Sequence, residues 1–219
     1  MARRGRFLLI KRFLLTLAIA ASTALVVAQP DFDHRPSMFA GRTFLTLSLF
    51  EEVRTELKTT ADLNAKIEAV HDKLDAARRE AFESGNNDFE AIMPVIEKLN
   101  TKYDEEVVKL FSGDQVTRLK QLFVQYNGAL AISNPTISKD LLITDEQKTK
   151  IKDVQTENGK KMRELFANGP PEDGQKAFEK LQDELKAALD KVLNDDQRTK
   201  FKAMAGAKFE FKKIAGDGG

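Results

Sequence analysis

Leu142-Ile143-Thr144-Asp145-Glu146-Gln147 is the stretch on which the reading of this chain turns. A Thr followed three places later by Gln is a capping box. The hydroxyl accepts from the amide of the Gln, and the Gln carboxamide turns back to accept the amide of the Thr. Two of the donors that a helix start leaves unpaired are met together, and the acids between them suit the positive end of the helix dipole. The same phrase stands at Ser112-Gly113-Asp114-Gln115 and at Asn194-Asp195-Asp196-Gln197, each after an apolar residue (Phe111, Ile143, Leu193). The recurrence predicts a duplicated, all-α architecture of antiparallel helical hairpins.

Working outward, Phe44, Leu47, Phe50, Val53 and Leu57 recur at three- and four-residue steps and predict a short helix. From Thr60 a heptad follows: Leu63, Ile67, Val70, Leu74, Ala77, Ala81, ending near Ser84-Gly85-Asn86. Asn87 or Asp88 caps the next helix, whose stripe is Phe89, Ile92, Ile96, Leu99, Tyr103, Val107 and Leu110. Pro94 implies a kink there or a later start. A Gly-Asn-Asn connection this short makes the pair antiparallel. A third helix runs from the Ser112 cap to Asn127-Gly128.

The second half repeats the plan. Adding 84 maps Leu57, Thr60, Ile67, Val70, Phe82 and Gly85 onto Leu141, Thr144, Ile151, Val154, Phe166 and Gly169. After the loop a shift of 82 maps Ile96, Leu99, Tyr103, Val107 and Gln115 onto Phe178, Leu181, Leu185, Leu189 and Gln197. The first copy's opening is degenerate, because Leu63 stands where Gln147 stands in the second. The units this predicts are 44–130 and 131–207, with a lead-in at 29–43 and a tail at 208–219.

The first 28 residues read as an export signal. Arg3, Arg4, Arg6, Lys11 and Arg12 precede an apolar stretch from Phe13 to Ala28, with small residues at its end. Sixteen residues fall short of the roughly 20 of a membrane-spanning helix, so a cleaved signal is favoured over a retained anchor. Removing it leaves 30 Lys+Arg against 34 Asp+Glu, a net charge of about −4 that argues against a nucleic-acid partner. The chain has no Cys, so an exported fold must be held by packing alone.

Leu142-Ile143-Thr144-Asp145-Glu146-Gln147 resembles the LTxxQ motif of the Spy/CpxP-type periplasmic proteins. Leu193-Asn194-Asp195-Asp196-Gln197 is a near match and Phe111-Ser112-Gly113-Asp114-Gln115 a looser one. The resemblance spans roughly residues 53–205. It implies antiparallel helices in a curved bundle, often dimeric, in proteins acting as ATP-independent chaperones, stress-signalling inhibitors or metal-responsive sensors. This chain is nearly two units long, so its two hairpins either pack on each other as a monomer or form the cradle-like homodimer.

Candidate chemistry is sparse. Glu68-x-x-His71, with Asp75 a turn on, has the spacing of a helical metal pair, but the chain has two His and no Cys, and His34 lies in the lead-in. A solvated face is expected, with no metal and no cofactor. No Cys nucleophile, Ser-His pairing or Gly-rich phosphate loop is present, so no enzyme is expected. Asn158-Gly159 interrupts an apolar stripe and either sets register or marks a bend. Lys148, Lys150, Lys152, Lys160 and Lys161 make one helix basic, read as a solvated face. The tail Lys208-Phe209-Glu210-Phe211-Lys212-Lys213-Ile214 either covers an apolar groove of its own bundle or forms an exposed strip. Ser112, Gln115, Thr144, Gln147, Asn194 and Gln197 are assigned as helix caps. The expected function is protein binding outside the cytoplasm, as a chaperone or stress regulator. The alternatives are an interaction module for one folded partner and, less favoured, a metal-responsive sensor.

Overall fold

The computed structural model describes residues 42–85, 88–167 and 173–212, all within one compact unit, Pro36–Gly219. The export signal read at 1–28, His34 and Gly169-Pro170-Pro171 lie outside the described residues. So does the tail beyond Lys212.

The fold is all-α, with no strand among the described residues. In chain order the helices are α1 (Phe44–Leu47), α2 (Glu51–Glu56), α3 (Ala61–Ser84), α4 (Phe89–Val108) and α5 (Gly113–Asn127), then a 3-10 segment (Gly128–Ser133). These are followed by α6 (Pro135–Asp140), α7 (Asp145–Phe166), α8 (Gly174–Val192) and α9 (Asp195–Met204). Helices α3 and α4 pack as one hairpin, α7 and α8 as the other. The stretch 44–57 is two helices rather than one. Ser48 caps α1, its hydroxyl donating to Leu45 O at 2.7 Å, and α2 restarts after Phe50.

The duplication extends to single backbone torsions. Adding 84 to α2 gives α6, and adding 82 to Gly113 gives Asp195, where α9 begins. The only non-glycine residues with positive φ among those described are Lys58 (52°) and Leu142 (55°), which are equivalent positions. Thr59 N bonds Arg54 O at 3.0 Å, and its counterpart Ile143 N bonds Ser138 O at 2.9 Å. Each unit thus turns from a short helix into a long one through the same left-handed step. The counterpart of α1 is the 3-10 segment, and each packs on the second arm of its own hairpin, α4 or α8.

The core lies at the hairpin bases. Phe44, Leu45, Leu47, Val53, Leu119, Leu122, Phe123, Ile132 and Ile137 are fully or almost fully buried, and the Phe44 and Phe123 rings meet at 4.5 Å. Each such side chain contributes about 2 kcal/mol of transfer free energy. Along the arms burial fades: α3 buries Ile67, Val70 and Leu74, whereas Ala77 and Ala81 are half-covered. On α7, Ile151 is buried, and Val154, Met162 and Leu165 are half-covered. Asn158-Gly159 does not break α7, and Asn158 is partly buried. Pro94 sits six residues into α4, and the helix runs through it from Phe89. Asp88 caps that start, accepting from Ala91 N at 3.2 Å. Gly85 is required at the first tip, because a Cβ there would stand 2.4 Å from Ile92 Cγ1.

Candidate functional site

All three sequence caps close as reciprocal boxes. Ser112, Thr144 and Asn194 accept from the amides of Gln115, Gln147 and Gln197, and each Gln returns its Oε1 to the cap's amide at 3.0 Å. Each carboxamide also has an Nε2 left over, and this joins elements distant in sequence. Gln115 donates to Leu57 O at 2.9 Å, and its counterpart Gln197 reaches the matching Leu141 O at 3.4 Å. Gln147 donates to Val192 O at 2.8 Å and to Gln197 Oε1 at 2.6 Å, and Gln197 returns a bond to Gln147 Oε1 at 3.0 Å. The two amides form a paired plug at the base of the second hairpin, with Gln197 8 % exposed. In the first hairpin Thr60 accepts from Leu63 N, and the apolar Leu63 packs on the core in place of an amide.

A second polar junction joins the two units, and its key residue was not evident from sequence. Asp104, on α4 beside the stripe residue Tyr103, is buried at 6 % exposure. Its Oδ1 accepts from Leu45 N at 3.0 Å, and its Oδ2 from Asn134 Nδ2 at 3.1 Å. Asn134 in turn caps α6 through Thr136 N and Ile137 N. One carboxyl therefore ties α4 to the opening turn of α1 and to the start of the second unit. Burial pushes it up to about 6, although the amides of Leu45 and Phe44 and the side chains of Asn134 and Thr43 pull the other way. Burial also lowers the nearby Arg78 guanidinium, which the charges of Asp75 and Asp104 partly offset.

The remaining charged candidates are locally engaged. Glu68 accepts from Arg54 Nη1 at 2.9 Å, and His71 Nδ1 lies 3.6 Å from Asp75. No group of three or more His, Cys, Asp or Glu converges among the described residues. On α7, Lys148 and Lys150 pair with Asp145 and Glu146, and Lys161 reaches Glu184 across the hairpin. Two surface depressions of about 380 and 410 Å³ lie over Glu97–Glu105 and Asp173–Glu179, lined by Lys, Glu, Asp and small polar groups. No helix among the described residues is long and apolar enough to cross a membrane.

Among the mostly charged exposed residues of the arms a few are large and apolar. Phe82 (37 % exposed) lies on the last turns of α3, with Met93 (42 %) and Val95 (44 %) on the first turns of α4. All three flank the tip of the first hairpin. Phe178 (37 %) stands one turn into α8, near the tip of the second. Leu142 is 77 % exposed on its left-handed turn.

No family model, curated protein or solved structure matches this chain.

Proposed function

We propose that this chain is an exported protein-binding protein of the Spy/CpxP kind, holding partly unfolded chains without ATP. The reading rests first on the four half-exposed apolar side chains at the hairpin tips, set on arms whose bases are closed by buried Phe, Leu and Ile. An apolar surface on firm supports, rimmed by charged residues, suits weak and reversible capture of exposed hydrophobic segments. The lysines and acids of α4, α7 and α8 beside these tips favour encounter, and the apolar residues slow release. The motif Ile143-Thr144-Asp145-Glu146-Gln147 and the apolar leader add the extracytoplasmic setting.

The test is aggregation of a heated or reduced client enzyme, followed by light scattering with and without the mature chain. Suppression near equimolar ratio that is lost in a Phe82→Ser/Met93→Ser/Phe178→Ser variant supports the proposal. No suppression at several-fold excess refutes it.

A further inference from the structure

Beyond α9 the residues Ala205–Lys212 form neither helix nor strand and lie against α5. Arg118 Nη1 donates to Ala207 O at 2.8 Å. Gln125 Nε2 donates to Ala205 O and Ala207 O at 2.5 and 2.8 Å, while Gln125 Oε1 accepts from Phe209 N at 2.7 Å. One carboxamide thus offers a donor and an acceptor to a passing main chain, much as a neighbouring strand does, and such contacts do not read side chains. Ala205 packs on the core where the strap leaves α9, and beyond it side chains are read at three positions. Gly206 has φ 59°, and a Cβ there would stand 2.3 Å from Gln121 Cδ. Phe209 and Phe211 are half-buried and meet edge to face at 4.9 Å. Phe211 packs on Tyr126 at 5.0 Å, and Tyr126 on Phe50 at 5.4 Å. Lys208 and Glu210 pair with each other and are more than four-fifths exposed, so they add nothing to the fit.

We propose that this groove along α5 receives extended segments of other proteins that carry a glycine followed three and five places later by aromatic residues, and that residues 205–212 occupy it as a competing strap. The inference rests on the protein-binding reading above and gives it a second site. A strap held through its own main chain can be exchanged for another chain's, and this one can lift at Gly206 without unwinding α9. A short tether presents it at an effective concentration of about millimolar, so a free segment competes only near that concentration.

The chain has no Trp, so Phe211→Trp in the full chain gives one reporter of the seated strap. Addition of the peptide Gly-Ala-Lys-Phe-Glu-Phe-Lys-Lys is expected to shift its emission to the red, saturably and with a midpoint near a millimolar. The same peptide with both Phe replaced by Ser is expected to do nothing. Labelled peptide is expected to bind the full-length Phe209→Ala/Phe211→Ala variant at least tenfold more tightly than wild type, and Gln125→Leu in that background to remove binding. Absence of an emission shift at several millimolar overturns the proposal. So does equal affinity for wild type and a double variant that keeps its helical circular dichroism. If that variant loses its helices, the Trp displacement decides alone. Suppression of client aggregation with the strap unmoved refutes the groove and leaves the hairpin tips. Displacement without suppression retains the groove and refutes the chaperone reading.

Discussion

Replacing Gln197 by Ala removes a side chain that works at three places together. Its Oε1 accepts from Asn194 N, and its carboxamide exchanges two bonds with Gln147 at 2.6 and 3.0 Å. The longer contacts to Leu141 O and Leu142 O, both 3.4 Å, add little. At about 1 kcal/mol net for each of the cap bond and the amide pair, plus up to about 1 kcal/mol for the one Gln147 N–H that loses its acceptor while Val192 O and Thr144 N keep the rest of that carboxamide paired, the loss comes to about 2–3 kcal/mol. Gln115→Ala, which forgoes a cap bond and the bond to Leu57 O, costs about 2 kcal/mol. The exposed Gln175→Ala serves as a control and stays within about 0.5 kcal/mol. Urea unfolding followed at 222 nm reads all three, provided the denaturant slope is unchanged. A cycle through Gln147→Ala and Gln197→Ala gives a coupling of about 1 kcal/mol. A loss below about 0.5 kcal/mol for Gln197→Ala, or additivity in the cycle, refutes the claim that the motif glutamines lock the hairpin base.

Three further outcomes are expected. Leu63→Gln restores the missing glutamine of the first unit; a new cap bond and an amide facing Gln115 offset the lost apolar contact, so urea unfolding moves by less than about 1 kcal/mol. A full loss of about 2 kcal/mol would mean that the two bases are not equivalent. Asp104 releases its proton near pH 4 in the unfolded chain and near 6 in the fold, so the fold holds the extra proton between those values. Its contribution therefore falls as pH rises through that window and levels off above 6. Wild-type stability relative to Asp104→Asn drops by about 2 kcal/mol from pH 4.5 to 7, and a flat or rising difference contradicts the assignment. Gly85→Ala drives a methyl against Ile92 and costs about 1–3 kcal/mol by thermal or urea unfolding, whereas a neutral result would place the first tip elsewhere.

Much of the fold was legible because its signals are local. A capping box involves four consecutive residues, and heptads reveal hairpins without any long-range contact. The shifts of 84 and 82 located equivalent positions that share even a left-handed torsion, at Lys58 and Leu142. What escaped depends on partners far along the chain. The glutamines announced their caps, but their bonds to Leu57 O, Val192 O and one another arise only once the hairpins close. Nothing local sets Asp104 apart from its acidic neighbours Glu105 and Glu106, and its burial follows from α1 folding over it. The split at Ser48 is set by a side-chain bond to Leu45 O, and Asn158-Gly159 stays helical because both sides of it are long helix. The apolar stripes marked the hairpin faces, yet which turns stay uncovered depends on where α1, α5 and the 3-10 segment pack.

Hydrogen–deuterium exchange of the protein, with and without a reduced and unfolded client, bears most directly on the proposal that the hairpin tips bind other chains. Slower exchange on adding client is expected in the outer turns of α3, α4 and α8 around Phe82, Val95 and Phe178, with the capped bases at Gln115, Gln147 and Gln197 unchanged. Tips whose exchange ignores the client, while the client's own aggregation proceeds, would contradict the account.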